Sequence, residues 1–349
     1  MRLFCIYIII ILLIGESFSQ QWKREINLRG KWKFMIGDNK NWIDFNTDDS
    51  KWEDIYVPSA WENEGYPGYN GYAWYKKHFY WKPGKDIYNL YLSLGKIDDV
   101  DEVYLNGHLV GSTGTFPPEY QTAYDQERFY RIAANHLHIN GDNVITVRVY
   151  DAELAGGILS GKIGIYSKQY DIDFEISLEG IWKFSPGDQE KYKSVSFDDT
   201  YWNNIIVPAQ WESQGFADYD GYAWYRKKIN IPTKYIEQKL VLLLGKIDDM
   251  DETFLNGERI GSTGHLQDYG EWSHFEGGEW LQYRAYELDE DYIYYGQQNT
   301  IAVRVFDGMV QGGIYEGPVG IVTYESYLKW KKREKKSKGN FFEWLFGKK

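Results

Sequence analysis

The 349-residue chain has one cysteine, Cys5, and no apolar run long enough to span a bilayer comfortably. Cys5 lies inside what reads as a secretory leader, with Arg2 as its basic end, Leu3 to Ile14 as its apolar segment and Ser17-Phe-Ser19 as a small-x-small cleavage site. Removal of that leader leaves no thiol, which excludes disulfides, thiolate-zinc sites and cysteine nucleophiles. Also missing are a Gly-x-Ser-x-Gly elbow, a His-Glu-x-x-His pair and a glycine-rich phosphate loop. Residues 25–325 contain no sustained helical period. The formal charge of −12 argues against nucleic acid as a partner of the body of the chain.

What is abundant is aromatic: 18% of the residues, with 15 tryptophans and 31 tyrosines. Such residues fill β-sheet cores and also stack on sugar faces. The charge is uneven. Lys329 to Lys349 carries +7, which leaves −19 for residues 1–328. An exported, disulfide-free chain of this kind suits a periplasm, a cell surface or a secreted state.

The chain is organised around two nearly identical stretches, Gly95 to Gly114 and Gly245 to Gly264, 150 residues apart. Each contains Asn-Gly (Asn106-Gly107, Asn256-Gly257), a pair suited to the positive φ angles of a two-residue hairpin turn. The repeat begins at Leu28-Arg-Gly-Lys-Trp-Lys-Phe34 and Leu178-Glu-Gly-Ile-Trp-Lys-Phe184. It holds the 150-residue register through Gly71-Tyr-Ala-Trp-Tyr75 and Gly221-Tyr-Ala-Trp-Tyr225. Pairing Tyr130-Arg131 with Tyr283-Arg284 gives an offset of 153, and Asn143 with Asn299 gives 156. Indels confined to connections are what two copies of one domain should show.

Short β-branched or aromatic runs bounded by Gly, Asn and Asp predict strands throughout. The expected fold is all-β, two tandem β-sandwich or jelly-roll domains over 20–170 and 171–326, after a leader over 1–19. Residues 327–349 form a short basic tail, the one helical candidate, with a hydrophobic patch from Phe341 to Phe346. Three fates are open to it: solvation, a membrane surface, or a partner protein.

Each repeat carries a dense acidic segment, Asp98, Asp99, Asp101 and Glu102, then Asp248, Asp249, Asp251 and Glu252. Like charges so close must meet cations, solvent or a polar ligand. Three readings stand: structural pairing to Arg148 and Arg304, contact with sugar hydroxyls, or a calcium site on Asp98, Asp99, Asp101, Asp248, Asp249 and Asp251. No other cofactor is indicated. His136-x-His138 has no counterpart in the second copy and reads as a turn. Among the loop aromatics, Tyr72, Trp74, Tyr222 and Trp224 alternate along a strand and are assigned to the core. Trp61, Tyr69, Trp211 and Tyr219 are the candidates for stacking on a sugar, with Asp151 and Asp307 accepting from its hydroxyls.

Trp61-Glu, Gly71-Tyr-Ala-Trp-Tyr-Lys, Gly95-Lys-Ile-Asp-Asp, Tyr104-Leu-Asn-Gly and Asn143-Val-Ile-Thr-Val-Arg-Val-Tyr-Asp151 resemble the N-terminal sugar-binding domain of glycoside hydrolase family 2, a galactose-binding-like jelly roll. The resemblance covers about residues 26–167 and again 176–324. It implies polysaccharide or glycan as the partner and a sugar-facing loop at Asp151 with Gly156-Gly157 and at Asp307 with Gly312-Gly313. The family's catalytic acid and nucleophile belong to a barrel of about 250 further residues, so the resemblance assigns no catalytic residue here. The leading expectation is a secreted, non-catalytic carbohydrate-binding protein. The alternatives are an accessory chain of a β-galactosidase-like glycoside hydrolase and a structural or interaction protein of the envelope.

Overall fold

The structure, a computed structural model, describes residues 22–82, 87–267, 271, 277–309 and 311–337. The leader with Cys5 and the patch from Phe341 to Phe346 lie outside the described residues. The chain divides into two compact units between Gln169 and Tyr170.

The first domain is built from β1 (Trp22–Asn27), β2 (Gly30–Ile36), β3 (Glu53–Val57), β4 (Gly71–Trp81), β5 (Leu90–Asp98), β6 (Val100–Leu105), β7 (His108–Thr113), β8 (Glu127–Ile132), β9 (Gly141–Asp151) and β10 (Gly157–Lys168). They form a four-stranded sheet in the order β1-β10-β5-β8 and a six-stranded sheet in the order β3-β2-β4-β9-β6-β7. The second domain repeats this with β11 (Ile176–Ser177), β12 (Gly180–Pro186), β13 (Asn203–Val207), β14 (Gly221–Asn230), β15 (Leu240–Asp248), β16 (Met250–Leu255), β17 (Glu258–Thr263), β18 (Tyr283–Leu288), β19 (Gln298–Asp307) and β20 (Gly313–Thr323). Its sheets run β11-β20-β15-β18 and β13-β12-β14-β19-β16-β17. The expected pair of β-sandwiches is therefore observed.

Each core is the apolar layer between two sheets. In the first domain Trp32, Phe34, Trp61 and Tyr75 meet Leu92, Leu94, Ile97 and Ile163 there. The central strands of the larger sheet also bury their outer face. Trp74 lies with Trp52 and Tyr104 under Trp42 and Ile43 of the β2–β3 connection, and Trp224 lies with Phe254 under Tyr192 and Trp202. That is why β4 and β14 read as nearly continuous aromatic runs rather than as alternating ones. Tyr222 is buried as expected, whereas Tyr72 is only half-buried.

The Asn-Gly turns adopt positive φ at both residues, 52° and 88° in one copy and 52° and 91° in the other. The Asn106 amide donates to the His136 carbonyl at 2.8 Å and to Asn143 Oδ1 at 2.7 Å, while its Oδ1 accepts from Val144 N–H at 2.8 Å. Asn256 repeats the set with Tyr292, Asn299 and Thr300. His136 packs against His108, rings 4.5 Å apart and parallel within 10°.

The first correction concerns the repeat register. Arg128 and Arg284 occupy the same place, as do Tyr130 and Tyr286, so the offset is already 156 in β8 and β18. Tyr130-Arg131 does not pair with Tyr283-Arg284, and all six extra residues of the second copy fall in the connection between β17 and β18. Shared Tyr and Arg letters in shifted order misled the sequence alignment.

The basic tail begins as a helix, Tyr324–Ser337. It is not detached there: Trp330 is buried against Val241, Leu243 and Val322, edge-on to Tyr283 at 5.1 Å. Among the described residues no helix is long and apolar enough to cross a membrane.

A buried ion pair ties each sandwich together at one end. Arg128 Nε donates to Asp101 Oδ1 at 2.6 Å, and Arg284 Nε to Asp251 Oδ1 at 2.9 Å, with all four side chains at 0% exposure. Arg128→Met leaves Asp101 charged and unpaired in the core, and the expected cost is about 3–5 kcal/mol. Urea denaturation of Arg128→Met and of Asp101→Asn measures it. A loss under about 1 kcal/mol in both would mean the pair is not what holds this end.

Candidate functional site

Asp98 ends β5 and Val100 opens β6, so Asp98 and Asp99 form the crossing from the smaller sheet to the larger. Asp151 ends β9 and pairs with Gly71, while Gly157, opening β10, pairs with Asp98. These registers bring residues 53 positions apart in sequence to one end of the sandwich. Carboxylate oxygens of Asp98, Asp99 and Asp151 lie within 4.8 Å of one another, and those of Asp248, Asp249 and Asp307 do the same. The Asp98–Asp99 and Asp248–Asp249 peptides are cis in both copies.

The surrounding backbone is fixed by hydrogen bonds. Asp99 N–H donates to Tyr150 O at 3.1 Å, and Ala152 N–H donates to Asp99 Oδ2 at 3.0 Å. The Thr122 hydroxyl donates to Asp99 Oδ1. In the second copy Asp249 N–H donates to Phe306 O at 2.9 Å and Gly308 N–H to Asp249 Oδ2 at 3.1 Å. Asp151 and Asp307 are at 0% exposure. Asp151 Oδ1 and Asp307 Oδ2 are buried with no hydrogen-bond partner.

Burial, then the hydrogen bond and charge of Asp99, push the Asp98 carboxyl up to about 7. Burial also acts to raise Asp99, but hydrogen bonds from Thr122 and Tyr120 outweigh it and hold that carboxyl below the usual range. Asp151 is pushed up to about 7 by burial and by the charges of Asp98 and Asp99. Asp248 and Asp307 rise to about 8, again through burial first and the charge of Asp249 after it. Three acids crowd together where water is scarce, and the charge of the middle one, Asp99 or Asp249, makes the other two harder to ionise.

Asp101 and Asp251 do not join these clusters. Each is the buried partner of an arginine and also accepts from a tyrosine hydroxyl, Tyr130 at 2.5 Å and Tyr286 at 2.9 Å. They are thus removed from the calcium candidates, because both oxygens of each already accept hydrogen bonds, from Arg128 and Tyr130 in one copy and from Arg284, Tyr286 and Thr253 in the other. Glu102 and Glu252 make the pairing expected to Arg148 and Arg304, at 3.3 and 3.0 Å, but Asp38 and Asp188 bind those guanidinium groups more closely, at 2.5 and 2.6 Å.

The aromatic candidates for sugar stacking are placed inside. Trp61 and Trp211 are at 0% exposure, and their indole N–H groups donate to Tyr69 O at 3.0 Å and Tyr219 O at 3.2 Å. A Cβ on Gly156 or Gly312 would come within 2.0 or 2.1 Å of those indole rings, so the glycine backbone closes over them. Tyr69 and Tyr219 are half-buried, edge-on to the tryptophans, and their hydroxyls donate to Tyr72 O and Tyr222 O. The reason is local. These loops fold back over the end of the sandwich and serve as its lid, so their aromatics point down.

Among the described residues, rings that reach solvent at this end include Tyr124, at 58% exposure, Trp280, at 42%, and Tyr120, at 38%; Tyr124 and Trp280 form a pair. They are equivalent. Arg128 Nη1 donates to the carbonyls of Ala123 and Gln126 at 2.6 and 2.5 Å, and Arg284 Nη1 to those of Glu279 and Gln282 at 2.6 and 2.7 Å. The residue after the first clamped carbonyl is Tyr124 in one copy and Trp280 in the other. Sequence reasoning missed this pair because the connection differs in length, and only the common arginine shows the correspondence.

Comparison with known proteins agrees with the sequence resemblance. Residues 37–155 match the family described as the beta-galactosidase second all-beta domain. A protein of Formosa agariphila named "Putative beta-glucuronidase" is 26% identical over 153 residues, 40% of this chain and 14% of that protein. Among solved structures, Bacteroides uniformis beta-glucuronidase is 16% identical, over 82% of this chain and 28% of that one, with a TM-score of 0.37. A glycosyl hydrolase family 2 member from Bacteroides cellulosilyticus is 15% identical over 83% of this chain and 32% of that one, with a TM-score of 0.35. The chain thus spans less than a third of the length of these relatives. Its first domain is homologous to an accessory all-β domain of such enzymes.

Because Trp61 and Trp211 are core residues, Trp61→Ala and Trp211→Ala are each expected to cost about 3–5 kcal/mol of stability. Thermal or urea unfolding of the two variants checks this. Native-like stability in either would return that tryptophan to the surface.

Proposed function

We propose that this chain is an exported carbohydrate-binding protein with two modules, and that Tyr124 and Trp280 are the rings that meet the sugar. The observation that carries this reading is the equivalence of those two residues. Each domain holds an aromatic side chain out to solvent at the same point, on a loop pinned by a buried arginine. An exposed ring normally costs rotamer entropy to hold against a ligand. A loop clamped through two carbonyls has lost much of that freedom before the ligand arrives.

Homology to accessory domains of enzymes named for galactosides and glucuronides supports the choice of a glycan as partner. Two weak sites on one chain gain avidity, since the second contact is intramolecular. Export rests on the leader over residues 1–19, and the site of action is the periplasm, the cell surface or the medium.

A second reading follows from the lengths. The matched stretch is an accessory part of a much longer relative, and on this reading the chain serves as the accessory partner of a glycoside hydrolase. Adding the purified chain to such an enzyme on polymeric substrate would raise turnover on that reading alone.

Affinity electrophoresis through polysaccharide gels tests the main proposal. Tyr124→Ala and Trp280→Ala are expected to weaken retention on the order of tenfold each, the usual cost of truncating a stacked ring at a binding site. Both lie at the surface, so their unfolding temperatures should match the parent's. Unchanged retention in the double variant would put the site elsewhere. We also expect the chain to release no nitrophenol from aryl glycosides, and turnover lost on changing Asp98 or Asp99 would refute that.

A further inference from the structure

We propose that each domain binds one calcium ion, on Asp98, Asp99 and Asp151 in the first and on Asp248, Asp249 and Asp307 in the second. Most of the acidic residues at this end have a partner outside the cluster: Glu62 and Glu212 accept from the Gly156 and Gly312 N–H groups. Asp38, Asp101 and Glu102 each pair with an arginine, as do Asp188, Asp251 and Glu252. Among the described residues none of the six proposed ligands forms an ion pair with a lysine or arginine. In each copy these three carboxylates lie together, with one oxygen of each within 4.8 Å of the other two.

Burial makes the remainder costly. Asp151 and Asp307 are wholly enclosed, and in each copy one carboxylate oxygen has no donor at all. A buried acceptor without a partner forfeits its hydration for nothing, and a buried carboxylate beside two others forfeits more. Such an arrangement in one domain could be an accident of packing. Here it occurs twice, in copies whose flanking connections differ by six residues, and the residues that hold the unpartnered oxygens are the equivalent ones.

The donor set selects the ion. All the oxygens are hard carboxylate oxygens, with no sulfur and no imidazole, which suits calcium, magnesium or manganese and not zinc or copper. Calcium accepts a flexible cage of protein oxygens, whereas magnesium demands near-octahedral order and usually keeps several of its waters, which a buried group of three carboxylates serves poorly. Asp98 and Asp248 are only half-buried, which leaves the ion a way in from solvent. This proposal does not rest on the glycan reading, since Tyr124 and Trp280 are not among the ligands.

The test is calorimetric titration of the full chain, stripped with a chelator, with calcium chloride and separately with magnesium chloride. One calcium per domain is expected, with magnesium much weaker. Asp151→Asn should abolish one of the two sites, Asp307→Asn the other, and the double variant both. A rise in unfolding temperature with calcium should be halved or lost in step. In chelator, the asparagine variants should be no less stable than the parent, because each removes repulsion that the ion would otherwise relieve. Should either variant fail to fold, Asp98→Asn and Asp248→Asn, at half-buried positions, carry the same titration. No calcium binding by the parent at millimolar concentration, preference for magnesium, or binding kept in a folded double variant would each overturn the assignment.

Discussion

The buried arginine at the end of each sandwich is the constraint from which the rest follows. Arg128 spends one face of its guanidinium on Asp101, another on the carbonyls of Ala123 and Gln126, and Nη2 on the carbonyl of Asp99 at 2.9 Å. Arg284 does the same with Asp251, Glu279, Gln282 and the carbonyl of Asp249 at 2.6 Å. A planar, permanently charged group with donors at fixed angles can join a strand, a crossing and a loop at once; a lysine could not. The same side chain therefore sets the position of the aspartate cluster and of the exposed ring. A charge buried this deeply is tolerated because nearly all of its donors are satisfied.

Duplication makes the molecule its own control. Where two copies have drifted in sequence, features held by both reflect a shared physical demand, and features of one alone reflect local accident. The arginine clamp, the turn asparagine and the aspartate triplet are in both. The stacked His108 and His136 rings are in one only. Tyrosine in one domain and tryptophan in the other keep a solvent-facing ring while the loop around it grows by six residues. Ring placement, not loop length, is what was kept.

Much of the fold was legible because its signals are local. Asn106-Gly107 and Asn256-Gly257 announce a turn that needs positive φ, and short β-branched runs between turn residues announce strands. The site was less legible because its contacts are not local. No spacing rule places Asp151 beside Asp98, since the neighbourhood exists only through the registers of β4 with β9 and of β5 with β10. Nor does composition separate Asp99 from Asp101, two residues apart, of which one faces the cluster and the other an arginine. Trp61 and Trp211 misled for a related reason. Glycine and proline around an aromatic suggest an open loop, but here the glycines let the backbone close over the ring.

The arrangement also separates two roles that a sequence reading tends to merge. An acidic residue beside an aromatic one invites a single sugar site, the ring stacking and the carboxylate accepting hydroxyl protons. In these domains two of the six acids are wholly enclosed and two more are buried, and the rings face outward on the loop that the clamp holds. An enclosed carboxylate cannot follow a ligand's hydroxyl groups, since it has neither room nor water to exchange. An exposed ring has both. Holding the acids in place is a matter of charge balance within the domain, and recognising a partner is left to the surface. The arginine between them couples the two, so a cluster that loses its geometry should also loosen the loop that carries the ring.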